Sequence, residues 1–158
     1  ELIVTGASFT NQAAGTLRGD GILDVLGTTS QTLDNYGTLA PGLSIGTLTI
    51  QGDLVMHPGS VLDYEFGPGT TSDLIAVAGD LTVDGTVQVD GGFIMGETYT
   101  IFTVTGAFVN NGLTVPGYGR TVVERVGNNI TLMAIPEPGT AALAALAGLF
   151  ALRRRRVA

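Results

Sequence analysis

The sequence predicts an all-β body, built as a parallel β-helix, followed by one apolar helix at the C-terminus. Short runs in residues 1–133 alternate apolar and polar side chains, as half-buried strands do. Glycine, asparagine and aspartate separate these runs, which is typical of turns. Short phrases also recur at spacings of 22 and 27 residues. Spacings of this size are typical of a solenoid.

Four stretches carry the alternation most clearly, at residues 46–56, 78–92, 97–108 and 120–135. In a strand, every second side chain lies on the same face. No stretch before residue 139 shows a helical period of apolar residues. We therefore expect stacked parallel strands throughout the body, with the following side chains facing inward: Leu48, Ile50, Leu81, Val83, Val87 and Val89.

The recurring phrases set the size of one coil. Gly52-Asp53-Leu54 returns as Gly79-Asp80-Leu81, and Gly-Thr-Leu at residue 15 returns at residue 37. A coil of this length accommodates three short strands, at about 3.3 Å per residue, and three turns. Stacked coils then share one continuous apolar column. A β-sandwich also has turns every 8–12 residues or so, and it is the alternative for the body.

The charges divide the chain into two parts. Residues 1–135 carry thirteen acidic residues and three arginines, a net charge of −10, whereas residues 136–158 carry one glutamate and four arginines, a net charge of +3. Nucleic acids require a basic surface, so the acidic body argues against binding DNA or RNA. The absence of cysteine excludes disulfides and thiolate metal sites. Because the chain opens with Glu1 in a strand-like run, we expect it to be a fragment of a longer protein.

Few residues of the body suit catalysis. The only histidine, His57, precedes Pro58-Gly59 and is interpreted as an exposed turn residue. Asp63 and Glu65 share one strand face, and paired carboxylates can hydrolyse glycosides. Their apolar neighbours occupy the opposite face, so the pair is interpreted as the solvated side of the strand. We expect no catalytic residue and no enzymatic activity.

Several aspartates adjoin glycines in the predicted turns, namely Asp53, Asp80, Asp84 and Asp90. Carboxylate oxygens in loops can hold calcium. The spacing Asp-x-Asp-x-Asp-Gly of a calcium loop is absent from the chain. We therefore interpret these aspartates as turn-stabilising residues, and we predict neither a metal site nor a cofactor.

The C-terminal stretch predicts a membrane anchor. After Thr140, residues up to Leu152 are only alanine, leucine, glycine and phenylalanine. As a helix, residues 140–152 would be about 20 Å long, somewhat short for a hydrocarbon core of about 30 Å. The arginines that follow can extend the effective span of the helix, because their charged ends reach the membrane interface while their apolar stems stay in the hydrocarbon. They also orient the helix, because positive residues stay cytoplasmic. This cytoplasmic stop consists of Arg153, Arg154, Arg155 and Arg156.

Residues 35–92 resemble the last coils of autotransporter-type passenger β-helices. The recurring phrase of that class matches at Asn35, Gly37, Leu39, Pro41, Gly42, Ser44, Gly46, Leu48, Asp73, Leu74, Val77 and Gly79. The resemblance implies a right-handed parallel β-helix that is displayed outside the cell. It implies no particular chemistry, since fold alone does not determine function.

The tail resembles a PEP-CTERM sorting signal, because Pro136, Glu137 and Pro138 precede the apolar run and the arginine cluster. The resemblance implies a Gram-negative bacterium whose exosortase recognises the tripeptide and processes the tail. It also implies export, transient anchoring in the inner membrane, and association with exopolysaccharide or biofilm at the cell surface.

These observations divide the chain into an extracellular β-helix domain, residues 1–133, and a sorting tail, residues 134–158. The expected function is that of an exported structural protein of the cell surface or extracellular matrix, with exosortase, the inner membrane and exopolysaccharide as partners. An adhesin that binds glycans is one alternative. The C-terminal part of an exported polysaccharide-acting enzyme is another.

Overall fold

The computed structural model describes residues 1–135, and the predicted helix at residues 140–152 lies outside them. In the described part the chain forms sixteen β-strands and one short 3-10 turn, Pro68–Thr70. The strands are β1 (Leu2–Gly6), β2 (Phe9–Asn11), β3 (Thr16–Gly19), β4 (Gly21–Thr28), β5 (Thr32–Asn35), β6 (Thr38–Pro41), β7 (Thr47–Gln51), β8 (Asp53–Met56), β9 (Val61–Phe66), β10 (Leu74–Val77), β11 (Leu81–Val83), β12 (Thr86–Gly91), β13 (Tyr99–Val104), β14 (Phe108–Asn110), β15 (Arg120–Val126) and β16 (Asn129–Ile135).

Three sheets run along a solenoid of about four coils. Successive strands enter three different sheets, so every third strand lies beside its equivalent in the next coil. The orders are β1-β4-β7-β10-β13-β16-β15, β14-β11-β8-β5-β2 and β12-β9-β6-β3. Strands β1 to β14 pair with one another only in parallel. This pairing confirms the parallel β-helix and excludes the sandwich, which is built from antiparallel sheets.

The interior is one apolar column in which equivalent residues of successive coils stack. Leu48 pairs with Ile75, and Leu54 pairs with Leu81. Strand β9 shows the alternation in full, since every second side chain is buried. The prediction of inward-facing residues is confirmed for Leu48, Ile50, Leu81, Val83 and Val87, which are buried, whereas Val89 is half-buried against the column.

The last two strands depart from the parallel prediction for residues 1–133. Strands β15 and β16 form an antiparallel hairpin, and β16 pairs antiparallel with β13. The turn between them has only two residues, Gly127 and Asn128, and Gly127 adopts a φ of +63°. A two-residue connection permits only antiparallel pairing, because parallel strands need a long crossover. The hairpin therefore ends the parallel stacking at this end of the solenoid.

The repeated Gly-Asp phrase forms a ladder at one corner of the solenoid. The Asp53 carboxylate accepts a hydrogen bond from the backbone N–H of Asp80 at 2.7 Å. The Asp80 carboxylate accepts one from the N–H of Ala107, also at 2.7 Å. Glycine precedes the donor in each case, and at Gly79 a Cβ would lie 2.8 Å from the carbonyl of Gly52. The repeat therefore pairs an aspartate that caps the next coil with a glycine that makes room for it.

We expect Gly79→Ala to lower the free energy of unfolding by about 1–3 kcal/mol, since the added methyl collides with backbone that cannot move aside alone. Gly92→Ala is the matched control, because its Cβ would meet the Phe66 carbonyl oxygen at 3.5 Å and the Gly67 carbonyl carbon at 4.0 Å, both ordinary contacts. Urea denaturation followed by circular dichroism measures both. Equal stability of the two variants would contradict the corner packing described above.

Candidate functional site

The predicted sorting residues, Pro136, Glu137, Pro138 and Arg153 to Arg156, lie outside the described residues. The structure places their point of attachment, because β16 ends at Ile135, directly before Pro136. Within residues 1–135 no helix has the length and apolar character needed to cross a bilayer. The last described strand thus reaches the residue directly before the Pro-Glu-Pro segment.

His57 lies in a turn, as predicted, but it is half-buried rather than exposed. Its Nε2 lies 2.8 Å from Oδ1 of Asp34, and its ring stacks on Tyr36 with centroids 3.9 Å apart and an interplanar angle of 3°. Asp34 and Tyr36 belong to the preceding coil, so the histidine links two coils. Sequence alone could not reveal these contacts, because stacking brings together residues more than twenty positions apart.

Asp63 and Glu65 share the outer face of β9, as predicted, while Leu62, Tyr64 and Phe66 are buried on the other face. The two carboxylates line a shallow groove of about 90 Å³. Asp63 pairs with Arg18 across two coils, with Nη2 and Oδ2 2.9 Å apart. The predicted solvated face is therefore present, and one of its carboxylates links two coils that are separated by a third.

The aspartates beside glycines stabilise turns in three of the four predicted cases. The carboxylates of Asp53 and Asp80 accept hydrogen bonds from backbone N–H groups of the next coil. The Asp84 carboxylate accepts a hydrogen bond from the N–H of Gly85 at 2.6 Å. Asp90 is exposed on β12. Across the described part of the chain, no group of three or more histidine, cysteine or acidic side chains is arranged to hold a metal ion.

Asp73 joins two segments of the chain through backbone hydrogen bonds, a role that the sequence did not predict. It is buried, and its two carboxylate oxygens accept hydrogen bonds from the N–H groups of Gly46 and Glu65, both at 2.8 Å. Both Gly46 and Asp73 belong to the phrase shared with passenger β-helices, so the motif match was the available signal. Their separation of 27 residues concealed that the two parts of the phrase touch.

Burial raises the pKa of the Asp73 carboxyl above its usual 3.8, even though the hydrogen bonds from Glu65 and Gly46 oppose the shift. The nearby charges of Glu65 and Asp20 raise this pKa further. Since the folded protein binds this proton more tightly than the unfolded chain, the contribution of Asp73 to stability is greatest below the unfolded pKa. It decreases as the pH rises through the folded pKa.

We expect Asp73→Asn to lower the free energy of unfolding by about 1–3 kcal/mol at neutral pH, because the amide offers one acceptor to two N–H donors. Because the pKa of Asp73 is raised in the folded protein, the wild type should exceed the variant in free energy of unfolding by more at about pH 4 than at about pH 7. Urea titrations at both pH values measure it, with Asp90→Asn as the exposed control. A difference that grows with rising pH would show that the hydrogen bonds, not burial, dominate this pKa.

A second buried polar contact was also missed. Asn11 and Asn35 are buried at the same corner of successive coils, and Nδ2 of Asn11 donates to Oδ1 of Asn35 at 2.7 Å. Asn35 in turn donates to the carbonyl of Gly37 at 3.1 Å. Every buried side-chain nitrogen or oxygen among the described residues has a hydrogen-bond partner. The buried polar groups of the body are thus used within the fold itself.

Comparison with known families identifies the tail. Residues 134–156 match the model of the PEP-CTERM protein-sorting motif. The match begins two residues before Pro136 and ends at Arg156, so it contains the tripeptide, the apolar run and the arginine cluster. The motif resemblance drawn from these residues is therefore confirmed, and it indicates exosortase-dependent sorting.

Comparison with curated proteins finds a relative of the body. The chain is 37% identical over 110 residues to the Adhesin BmaC autotransporter of Brucella suis biovar 1 (strain 1330). The aligned segment covers 62% of this chain and 3% of that adhesin. The chain thus spans only a small part of the relative that it matches. Together the fold and the two comparisons show that this chain carries a PEP-CTERM protein-sorting motif at residues 134–156, behind an autotransporter-like β-helix of an exported cell-surface protein.

Proposed function

We propose that this protein is a non-enzymatic structural component of the cell surface or extracellular matrix, and that an exosortase delivers it. In this proposal the enzyme recognises Pro136, Glu137 and Pro138 while a helix at residues 140–152 anchors the chain in the inner membrane. Arg153 to Arg156 hold the end of that helix on the cytoplasmic side. The body is a right-handed β-helix that becomes associated with exopolysaccharide or biofilm after processing.

The observation that carries the proposal is the position of the sorting motif relative to the fold. The matched segment begins at residue 134, and the last strand ends at Ile135. The prolines that follow favour an extended backbone that continues neither strand nor helix. A processing enzyme at the outer face of the membrane could therefore reach the tripeptide without unfolding the body.

The uses of the polar side chains support a structural role for the body. The contacts of His57, Asp63 and Asp73 are with side chains of other coils or with nearby backbone. These side chains join coils, which suits a rigid rod that spaces or supports other components.

Adhesion is the second candidate, and the relative of the body favours it. That relative is named an adhesin and an autotransporter. A solenoid can present its lateral loops along one side as an extended binding surface. The third candidate, a polysaccharide-acting enzyme, would need a catalytic part elsewhere in a longer protein.

The test is the mature C-terminus of the wild-type protein, measured by mass spectrometry in a Gram-negative host with and without its exosortase. With the enzyme, we expect protein at the cell surface to end upstream of the apolar run. Without it, the full tail should remain on protein in the inner membrane. An intact terminus through Ala158 on surface protein from the exosortase-containing host would contradict the sorting role.

A further inference from the structure

The loop that joins β12 to β13, residues 92–98, is anchored firmly to the body. Phe93 is buried, and its ring meets those of Phe66 and Tyr118 edge to face, with centroids 4.8 Å and 5.0 Å apart. The Tyr99 hydroxyl accepts a hydrogen bond from the N–H of Ile94 at 3.1 Å. These contacts fix the loop backbone, so the exposure of its other side chains is a property of the fold.

Two apolar side chains of this anchored loop lie in solvent. Ile94 is 54% exposed and Met95 is 48% exposed. The loop also touches the end of the body, because the N–H of Gly96 donates to the carbonyl of Ala134 at 2.9 Å. The next residue, Ile135, is 39% exposed. We call Ile94, Met95 and Ile135 the tail-proximal apolar patch.

Arg120 borders this patch. It is the cross-strand partner of Ile135 and is exposed, and among the described residues it takes part in no salt bridge. Glu97 is exposed two residues after Met95, toward β13. An apolar surface with a cation at its edge suits the boundary between acyl chains and lipid phosphates.

The tether between body and anchor is short. Only residues 136–139 separate Ile135 from the apolar run that begins at Thr140. Five Cα–Cα steps span at most roughly 18 Å, even when fully extended. If that run enters the bilayer, the end of β16 and the loop beside it are held close to the lipid surface.

We propose that the tail-proximal apolar patch rests on the lipid bilayer while the protein is anchored. This inference depends on the proposed membrane anchoring of the tail. The contact holds the end of β16 at a fixed distance from the bilayer surface. Pro136, Glu137 and Pro138 are therefore presented in the interfacial layer of the membrane. The body thereby takes part in positioning its own processing site.

The test uses the full chain in vesicles of phosphatidylethanolamine and phosphatidylglycerol that contain brominated lipids. Because the chain has no cysteine, single substitutions Ile94→Cys, Leu26→Cys and Ala145→Cys each carry one fluorophore. Leu26 is 49% exposed and lies on the distant strand β4, so it matches Ile94 in exposure. We expect bromine to quench residue 94 at least about twofold more than residue 26, as an interfacial apolar contact requires. Residue 145 should be quenched strongly.

The three labelled positions distinguish failure of the patch contact from failure of the proposed membrane anchor. Quenching at residue 145 without excess quenching at residue 94 overturns the patch contact and leaves the anchor intact. Absence of quenching at residue 145 overturns the anchor, and the inference falls with it. If quenching at residue 94 requires vesicles that contain the exosortase, the patch binds the enzyme rather than lipid, and the lipid assignment is wrong.

Discussion

A single Leu81→Asp substitution is expected to unfold most of the body. Leu81 is 1% exposed and lies in the column between Leu54 of one neighbouring coil and Phe108 of the next. An aspartate there would bury a charge with no partner, at an effective cost of several kcal/mol. Small domains have free energies of unfolding of about 5–15 kcal/mol, so this one change removes much of the stability of the folded body.

Leu81→Ala and Thr82→Asp are the matched controls. The alanine variant leaves a cavity without a charge and should lose about 2–5 kcal/mol. Thr82 is the next residue of the same strand but lies on the outer face, so its aspartate variant should remain folded. Urea denaturation followed by circular dichroism ranks the three. Equal midpoints for Leu81→Asp and Thr82→Asp would contradict the burial of this face.

The architecture of the body could be predicted because two signals in the sequence are local. Alternation decides which face of a strand is buried, and it placed Ile50 and Leu81 correctly. The Gly-Asp phrase recurs at the spacing of one coil, and in the structure Asp53 caps the coil that contains Asp80. The parallel register of β8 and β11 follows from that repeat.

The antiparallel end of the solenoid was predicted wrongly for a physical reason. Alternation at period two is the same in parallel and antiparallel strands, so residues 120–135 looked like another coil. The length of the connection decides the matter, and Gly127-Asn128 is too short for a crossover. The turn therefore contained the information that the strand pattern lacked.

Contacts between coils were the part of the candidate site that the sequence could not supply. Asp73 and Gly46 were both recognised as parts of one phrase, yet their hydrogen bond depends on how two coils stack. The position of His57 between Asp34 and Tyr36 depends on the same stacking. The proximity of Gly96 to Ala134 also requires the closing hairpin, which the parallel prediction omitted.

Two changes in the tail are expected to send the protein to opposite destinations. Replacing Arg153, Arg154, Arg155 and Arg156 by serine should release unprocessed protein from the membrane. Each arginine opposes passage through hydrocarbon by roughly 2.5–3.5 kcal/mol on insertion scales, so serine removes the main barrier to slipping through. Glu137→Ala should instead leave the protein in the inner membrane with its tail intact, because the anchor remains and the recognition side chain is lost.

Charge-conserving and distant variants complete this experiment. Lysine at the same four positions keeps the barrier, so that variant should be processed like wild type. Glu97→Ala removes an exposed carboxylate of the body, and it should not alter processing. Fractionation of the host, with mass spectrometry of the C-terminus in each fraction, measures all four variants. If the serine variant is retained and processed as efficiently as the lysine variant, the arginines are not a charge barrier. The apolar run of residues 140–152 would then have to hold the chain by itself, although it is short for the hydrocarbon core.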